Sequence, residues 1–250
     1  MVVENLHIHT KYSWDCNIES RDIVAFLNNK EIKYIGFTDH AELDKIDIDQ
    51  TLFDLDRRNK EIDRIQAKYP NLRLLKSVEI SSPHLYTEKV DRLKREIEID
   101  YIMGSIHKID KKAKTSLQQR NANYIYYREI LEMVKANQID VIGHLDYINR
   151  YYDCDYSDQA QLNEIFNEIR KTNIILEVNS SAKRRTSDRQ LLFPSPDKLK
   201  LYKKYKDEII IGTDAHRLEE LTDNLSRTDL LTKQLGFKQV TYDKRRMIKL

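Results

Sequence analysis

Seven short apolar, β-branched runs recur along the 250-residue chain, over 2–9, 34–40, 72–81, 101–108, 141–147, 174–180 and 209–216. Longer stretches with helical spacing lie between them, over 21–31, 54–69, 86–97, 120–137, 158–171 and 195–205. Strands joined through crossover helices pair in parallel, and a continuous apolar strand such as Ile209-Ile210-Ile211 suits a sheet covered on both faces. A closed barrel and a doubly wound sheet both satisfy this alternation. The polar residues choose between them, because every histidine-bearing motif falls at the C-terminal end of its strand, and these motifs are spread over many strands. A doubly wound sheet concentrates its site at one switch point, whereas a barrel gathers residues from many strand ends at one face. The sequence therefore predicts an α/β fold, a (β/α)7 TIM-like barrel of seven strands.

The 5 Gly and 4 Pro are scattered singly, so nothing in the composition marks a linker, and one domain over 1–250 is expected. Lys+Arg 43 against Asp+Glu 41 leaves a net charge of +2, too little excess to hold a long nucleic acid along a basic face. No apolar run approaches the roughly 20 residues of a membrane span. The chain opens almost directly on its first strand without a secretory pattern, so a cytoplasmic location is expected. Cys16 and Cys154 are too few for a disulfide framework and read as structural or incidental.

The chemistry lies in the strand ends. His7-Ile8-His9 places two imidazoles on one side of a strand, with Cα atoms roughly 7 Å apart, close enough for one metal ion to bridge. Asp15 follows, then Thr38-Asp39-His40, Glu79 within Val78-Glu79-Ile80, and Gly104-Ser105-Ile106-His107. Gly143-His144-Leu145-Asp146 and Gly212-Thr213-Asp214-Ala215-His216 complete the series. Imidazole and carboxylate ligands without thiolate suit zinc, ferrous iron or manganese. Six imidazoles and the carboxylates of Asp15, Glu79 and Asp214 exceed what one ion of about four to six coordination takes, and suffice for two or three divalent ions. Such a centre is electropositive and favours an anionic substrate such as a phosphate ester. Only His84 stands outside the pattern, as a surface or loop residue. Asp39 and Asp146 are either carboxylates orienting the neighbouring imidazoles or caps of their loops.

Taken in order, these motifs resemble the PHP (polymerase and histidinol phosphatase) family of metal-dependent phosphoesterases, over nearly the whole chain. The resemblance implies a distorted seven-stranded barrel and a division of the ligands. One ion takes His7, His9, Glu79 and Asp214, a second takes Glu79, His107 and His144, and a third takes Asp15, His40 and His216, with Glu79 bridging. Glu177-Val178-Asn179-Ser180-Ser181 and the C-terminal run through Leu235-Gly236-Phe237-Lys238 and Val240-Thr241-Tyr242 look most like the histidinol-phosphate phosphatases. In those proteins an arginine shortly after the sixth strand helps hold the phosphate. Arg184 fits that role best, Arg185 is a neighbouring possibility, and Arg150 is a second candidate.

The function implied is hydrolysis of the phosphate monoester L-histidinol phosphate by metal-activated hydroxide, with Glu79, Asp214 and His216 at the catalytic centre. Glu42 or Asp44 would meet the substrate's cationic amine. The alternative within the family is a phosphodiesterase or exonuclease acting on nucleotides. An amidohydrolase-type barrel also opens with His-x-His, but Glu79 and the Asp214-x-His216 pair argue against it. A scaffold that has lost catalysis is disfavoured because no ligand position is missing.

Overall fold

The computed structural model describes residues 4–30, 32–109, 111–152, 155–186 and 191–250. Nine strands form one sheet in sequence order: β1 (Glu4–Ile8), β2 (Tyr34–Ala41), β3 (Arg73–Ser81), β4 (Ile102–Ser105), β5 (Val141–Ile142), β6 (Ile175–Asn179), β7 (Glu208–Gly212), β8 (Lys238–Asp243) and β9 (Arg246–Lys249). Pairing is parallel from β1 through β8, and β9 returns antiparallel on β8. The helices α1 (Ser20–Asn28), α2 (Ile48–Gln66), α3 (Thr87–Glu96), α4 (Ser116–Ala136), α5 (Gln159–Arg170), α6 (Ala182–Arg185), α7 (Pro196–Tyr202) and α8 (Leu225–Gln234) fill the connections. Their starts follow local chemistry. Asp47 and Asp158 accept from the backbone N–H two residues on, and Thr115 with Gln118 forms a reciprocal capping box at α4.

Two apolar clusters share the strands between them. Leu74, Leu176, Ile209 and Ile211 pack with the helices, while Leu75, Ile175 and Ile210 join Leu6, Tyr101, Met103, Val141, Val240 and Tyr242 on the other face. Successive strand residues point to opposite faces. Glu79, four after Leu75, and Glu177, two after Ile175, therefore continue the second face toward the C-terminal strand ends. That inner cluster is the floor beneath the polar residues. The end of β7 also meets β1: the Asp214 N–H donates to the His7 carbonyl at 2.9 Å and the His9 N–H to the Ala215 carbonyl at 3.0 Å.

Among the described residues the sheet has nine strands, two beyond the seven read from the sequence. Val240 and Tyr242 alternate inward, and the β8–β9 hairpin turns on Lys244 and Arg245, both at positive φ (47° and 64°). Such turns ordinarily carry Asn-Gly or Asp-Gly, so a Lys-Arg turn gives no hairpin signal. Several expected strands are also shorter, among them β4, which ends at Ser105. β5 ends at Ile142 and β7 at Gly212, because His144 (φ 23°) and Asp214 (φ 51°) leave the extended region. Non-glycine residues at positive φ are uncommon and concentrate at functional sites.

Candidate metal centre

Three groups of donors converge at the C-terminal strand ends: His9, Asp15, His40 and His216; His7, His9 and Glu79; and Glu79, His107 and His144. Within each group the ligand atoms all lie within 4.8 Å of one another. Glu79 belongs to two groups, with Oε1 2.9 Å from His144 Nε2 and 3.3 Å from His107 Nε2. Its Oε2 stands 3.2 Å from His40 Nδ1 and 3.5 Å from both His7 and His9 Nε2. Asp214 Oδ1 lies 3.4 Å from His9 Nε2 and 3.7 Å from His7 Nε2. All nine ligand candidates named from the sequence are thus brought together. His9 also faces the Asp15, His40 and His216 group, a sharing that the division by resemblance does not contain.

Outer hydrogen bonds fix which ring nitrogens can bind a cation. Glu177 Oε1 accepts from His7 Nδ1 at 2.8 Å, and the Asp214 carbonyl accepts from His216 Nδ1 at 3.0 Å. Ser13 Oγ has one hydrogen, given to Asp39 Oδ1 at 3.0 Å, and it accepts from the His40 N–H at 3.1 Å. Its contact with His9 Nδ1 at 2.9 Å therefore takes the His9 hydrogen. Neutral His7 and His9 are then left with bare Nε2 lone pairs facing each other at 3.1 Å. Two lone pairs at that distance require a cation or a proton between them. The donor set fits divalent metal ions on this geometry.

The charge balance agrees. Burial lowers the His40 pKa, but Glu79 and Asp15 outweigh it and hold the imidazole at about 9. Burial, then the His216 and His40 charges, push His9 down to about 3. Despite burial, the surrounding imidazoles hold Glu79 and Asp214 well below the usual carboxylate range. Against burial, Glu177 and Glu79 likewise raise His7, and Asp15 and Asp214 raise His216, so that without ions protons on these imidazoles take up the carboxylate charge that divalent cations would otherwise meet.

Several supporting residues have partners that the sequence does not show. Glu177, fully buried, accepts from His7 Nδ1 and Asn179 Nδ2 with Oε1 and from the His144 N–H with Oε2, each at 2.8 Å. A methyl group on Gly212 would collide with Glu177 Oε1 and His7 Cβ, so glycine there makes room for the pair. Asp39 accepts from the Thr10 N–H at 2.6 Å and faces fully buried Arg58 at 3.5 Å, placing a charged residue of α2 behind His9. Asp146 instead holds Lys198 at 2.6 Å and the Ser195 N–H at 2.7 Å, tying the loop after β5 to α7. His84 lies in a short turn, its Nε2 3.0 Å from Glu129, and belongs to none of the donor groups. Cys16 is a buried free thiol, and Cys154 lies outside the described residues.

The centre forms the floor of a cleft of about 380 Å³, also lined by Trp14, Glu42, Asp44, Tyr147, Arg150 and Arg185. Arg184 does not line this cleft but a neighbouring cavity, with Asp15, Arg185 and His216. Its guanidinium donates to the Thr213 and Asp214 carbonyls at 2.8 and 3.2 Å and faces Asp223 at 3.3 Å and Glu220 at 3.6 Å. It braces the strand-end loop from behind. Arg185, one position on, reaches the cleft, and its buried Nε, like that of Arg184, has no hydrogen-bond partner among the described residues. Adjacent residues of a four-residue helix point about 100° apart, a distinction the sequence motif cannot make.

Over 98% of its length, the chain is 23% identical to a probable histidinol-phosphatase of Thermotoga maritima, of which it covers 97%. It is 26% identical over 220 residues to the DNA polymerase/3'-5' exonuclease PolX of Bacillus subtilis, spanning 35% of that protein's length. A crystal structure of histidinol phosphate phosphatase from Lactococcus lactis, complexed with zinc, L-histidinol and phosphate, has the same fold, with a TM-score of 0.80 at 20% identity and 97% coverage of each chain. Among the described residues no helix is long and apolar enough to cross a membrane. With the PHP domain model matching residues 5–181, around the strand-end histidines from His7 to His144, the chain belongs to the PHP domain family.

Proposed function

We propose that this protein is a phosphomonoesterase that hydrolyses L-histidinol phosphate to L-histidinol and phosphate. The observation that carries this reading is the convergence of three donor groups, two of them sharing Glu79, on the floor of a cleft sized for a small ester. Relatives covering nearly the whole chain support the substrate: the probable histidinol-phosphatase of T. maritima, and the L. lactis enzyme solved with L-histidinol and phosphate.

His7, His9, Asp15, His40, Glu79, His107, His144, Asp214 and His216 would hold two or three divalent ions, with Glu79 bridging. When bound, such ions supply Lewis acidity and bring the pKa of water from about 15.7 toward about 7. The protein's own groups do the rest. Glu177, Ser13 and the Asp214 carbonyl hold the Nδ1 hydrogens of His7, His9 and His216 outward, so the Nε2 lone pairs face the cleft. Arg185 grips the phosphate oxygens, a role its forked donors suit better than a lysine would. Glu42 and Asp44 receive the substrate amine, displacing Lys45 and Lys108, which hold them at 2.8 and 3.2 Å. We read the seven parallel strands β1 to β7 as a distorted barrel closed where β7 meets β1.

A phosphate-release screen tests the reading. Metal-replete protein, carrying at least two equivalents of metal by elemental analysis, should cleave L-histidinol phosphate with a kcat/KM far above that for nucleotide phosphodiesters. The reverse order moves the protein to the exonuclease class represented by its polymerase relative.

A further inference from the structure

Besides histidines, the aromatic side chains lining the cleft are Trp14, Tyr147 and Tyr151. The two tyrosine rings are already covered. Arg150 lies 4.6 Å from the Tyr147 ring centre, with the His107 and His144 rings at 5.0 and 4.9 Å, and Lys111 lies 4.8 Å from that of Tyr151. Trp14 by contrast is 72% exposed. Exposure alone says little, since single apolar residues on a surface are ordinary. What distinguishes Trp14 is that its exposed ring is held in place. Its Nε1–H donates to Glu42 Oε1 at 3.3 Å, and the indole lies within 24° of parallel to the His40 ring, with centres 6.3 Å apart.

The backbone beneath it is set by the ligand shell. Ser13, on one side, contacts His9 Nδ1, Asp39 and the His40 N–H, and Asp15, on the other, stands 3.3 Å from His216 Nε2. Lys45 shows what the held surface accepts. Its ammonium is 2.8 Å from Glu42 and 5.7 Å from the indole centre, so one cation meets the carboxylate and the ring face together. An indole face attracts cations more strongly than other aromatic rings do, and it stacks flat rings. A substrate amine that displaces Lys45 from Glu42 therefore also uncovers the indole. In an amino alcohol carrying imidazole on a short chain, the ring is the group left to cover it.

We propose that Trp14 determines specificity for the alcohol part of the ester: the imidazole ring of the substrate stacks on the indole face while its amine replaces Lys45 at Glu42. The inference rests on the phosphomonoesterase reading and adds to it the surface that selects a ring.

The test uses the zinc-loaded full chain, whose single tryptophan makes its indole fluorescence a report on this ring alone. L-histidinol, at concentrations that inhibit phosphate release, should change the emission saturably, and L-alaninol, which keeps the amine and lacks the ring, should not. Turnover is then compared for L-histidinol phosphate, the ring-free L-alaninol phosphate and the amine-free imidazolylpropyl phosphate. Trp14→Ala should lower kcat/KM on both ring-bearing esters about 2- to 30-fold more than on L-alaninol phosphate, and Trp14→Phe should keep part of the difference. Comparing esters on one sample cancels any loss of ions caused by the change beside Asp15, and elemental analysis measures that loss. Emission that L-histidinol leaves unchanged while it inhibits, or a Trp14→Ala loss that follows the amine or is equal on all three esters, overturns the role of Trp14 and leaves the phosphomonoesterase reading standing. Release from none of the esters by the wild type overturns that reading as well.

Discussion

Glu177 offers the sharpest test of how the centre is organised. Its two carboxylate oxygens accept from three donors, the His7 Nδ1–H, the Asn179 amide and the His144 backbone N–H. Glutamine keeps the shape but turns one acceptor into a donor. If the amide NH2 faces His7, the ring must present a bare Nδ1, and its hydrogen moves to Nε2, where His9 Nε2 stands 3.1 Å away. If it faces His144, a donor meets the N–H of a residue already held at φ 23°. One charge-assisted bond is lost either way, worth about 1.5–3 kcal/mol, or roughly 10- to 150-fold in affinity for the ion at His7. That matches the 10- to 100-fold losses typical of partners behind metal ligands, taken as about the same range. Zinc titration of metal-stripped Glu177→Gln against a chromophoric chelator measures it, with the metal-free melting temperature as the control for packing. Weakened binding of one ion, with the others held as in wild type, is the expected result. Wild-type affinity for every ion, whatever the melting temperature, would refute the tautomer argument.

Arg185→Ala should lower kcat/KM for a phosphate monoester by about 10- to 150-fold without moving the melting temperature, whereas Arg184→Ala should lower the melting temperature, because carbonyls and carboxylates lose their shared donor; the opposite pattern restores Arg184 to the phosphate. Lys198→Met leaves the buried Asp146 without the cation that it and Asp155 share, which costs about 3–5 kcal/mol and roughly 6–20 °C in thermal unfolding; a shift under about 2 °C would show the network to be dispensable. Burial raises the carboxyl pKa of Glu4 well above its ordinary value, more than the Ile211 N–H that it accepts lowers it. A raised carboxyl stabilises the fold below the unfolded value of about 4.3, and that contribution is lost as pH rises through the folded value. Glu4→Gln should therefore gain stability over wild type at neutral pH, with the gain fading toward about pH 4 in unfolding curves taken across the range; a pH-independent difference would show that Glu4 is not the titrating group.

The sequence by itself determined the alternation of strands and helices and the nine candidate ligands at the strand ends, because strand ends advertise themselves through β-branched runs and their polar termini. Parallel pairing then left the histidine motifs at one end of the sheet. What it could not determine depends on distance across the fold. Glu177 stands 170 residues from the His7 ring it orients, and Arg58 reaches His9 only through Asp39 and Ser13. The β8–β9 hairpin turns on Lys244 and Arg245 rather than glycine, so its cue is missing from the sequence. Arg184 and Arg185 are equivalent as letters. Only the angle between neighbours on α6, and the carbonyls left bare by the positive φ of Asp214, decide that one braces the loop and the other faces the cleft.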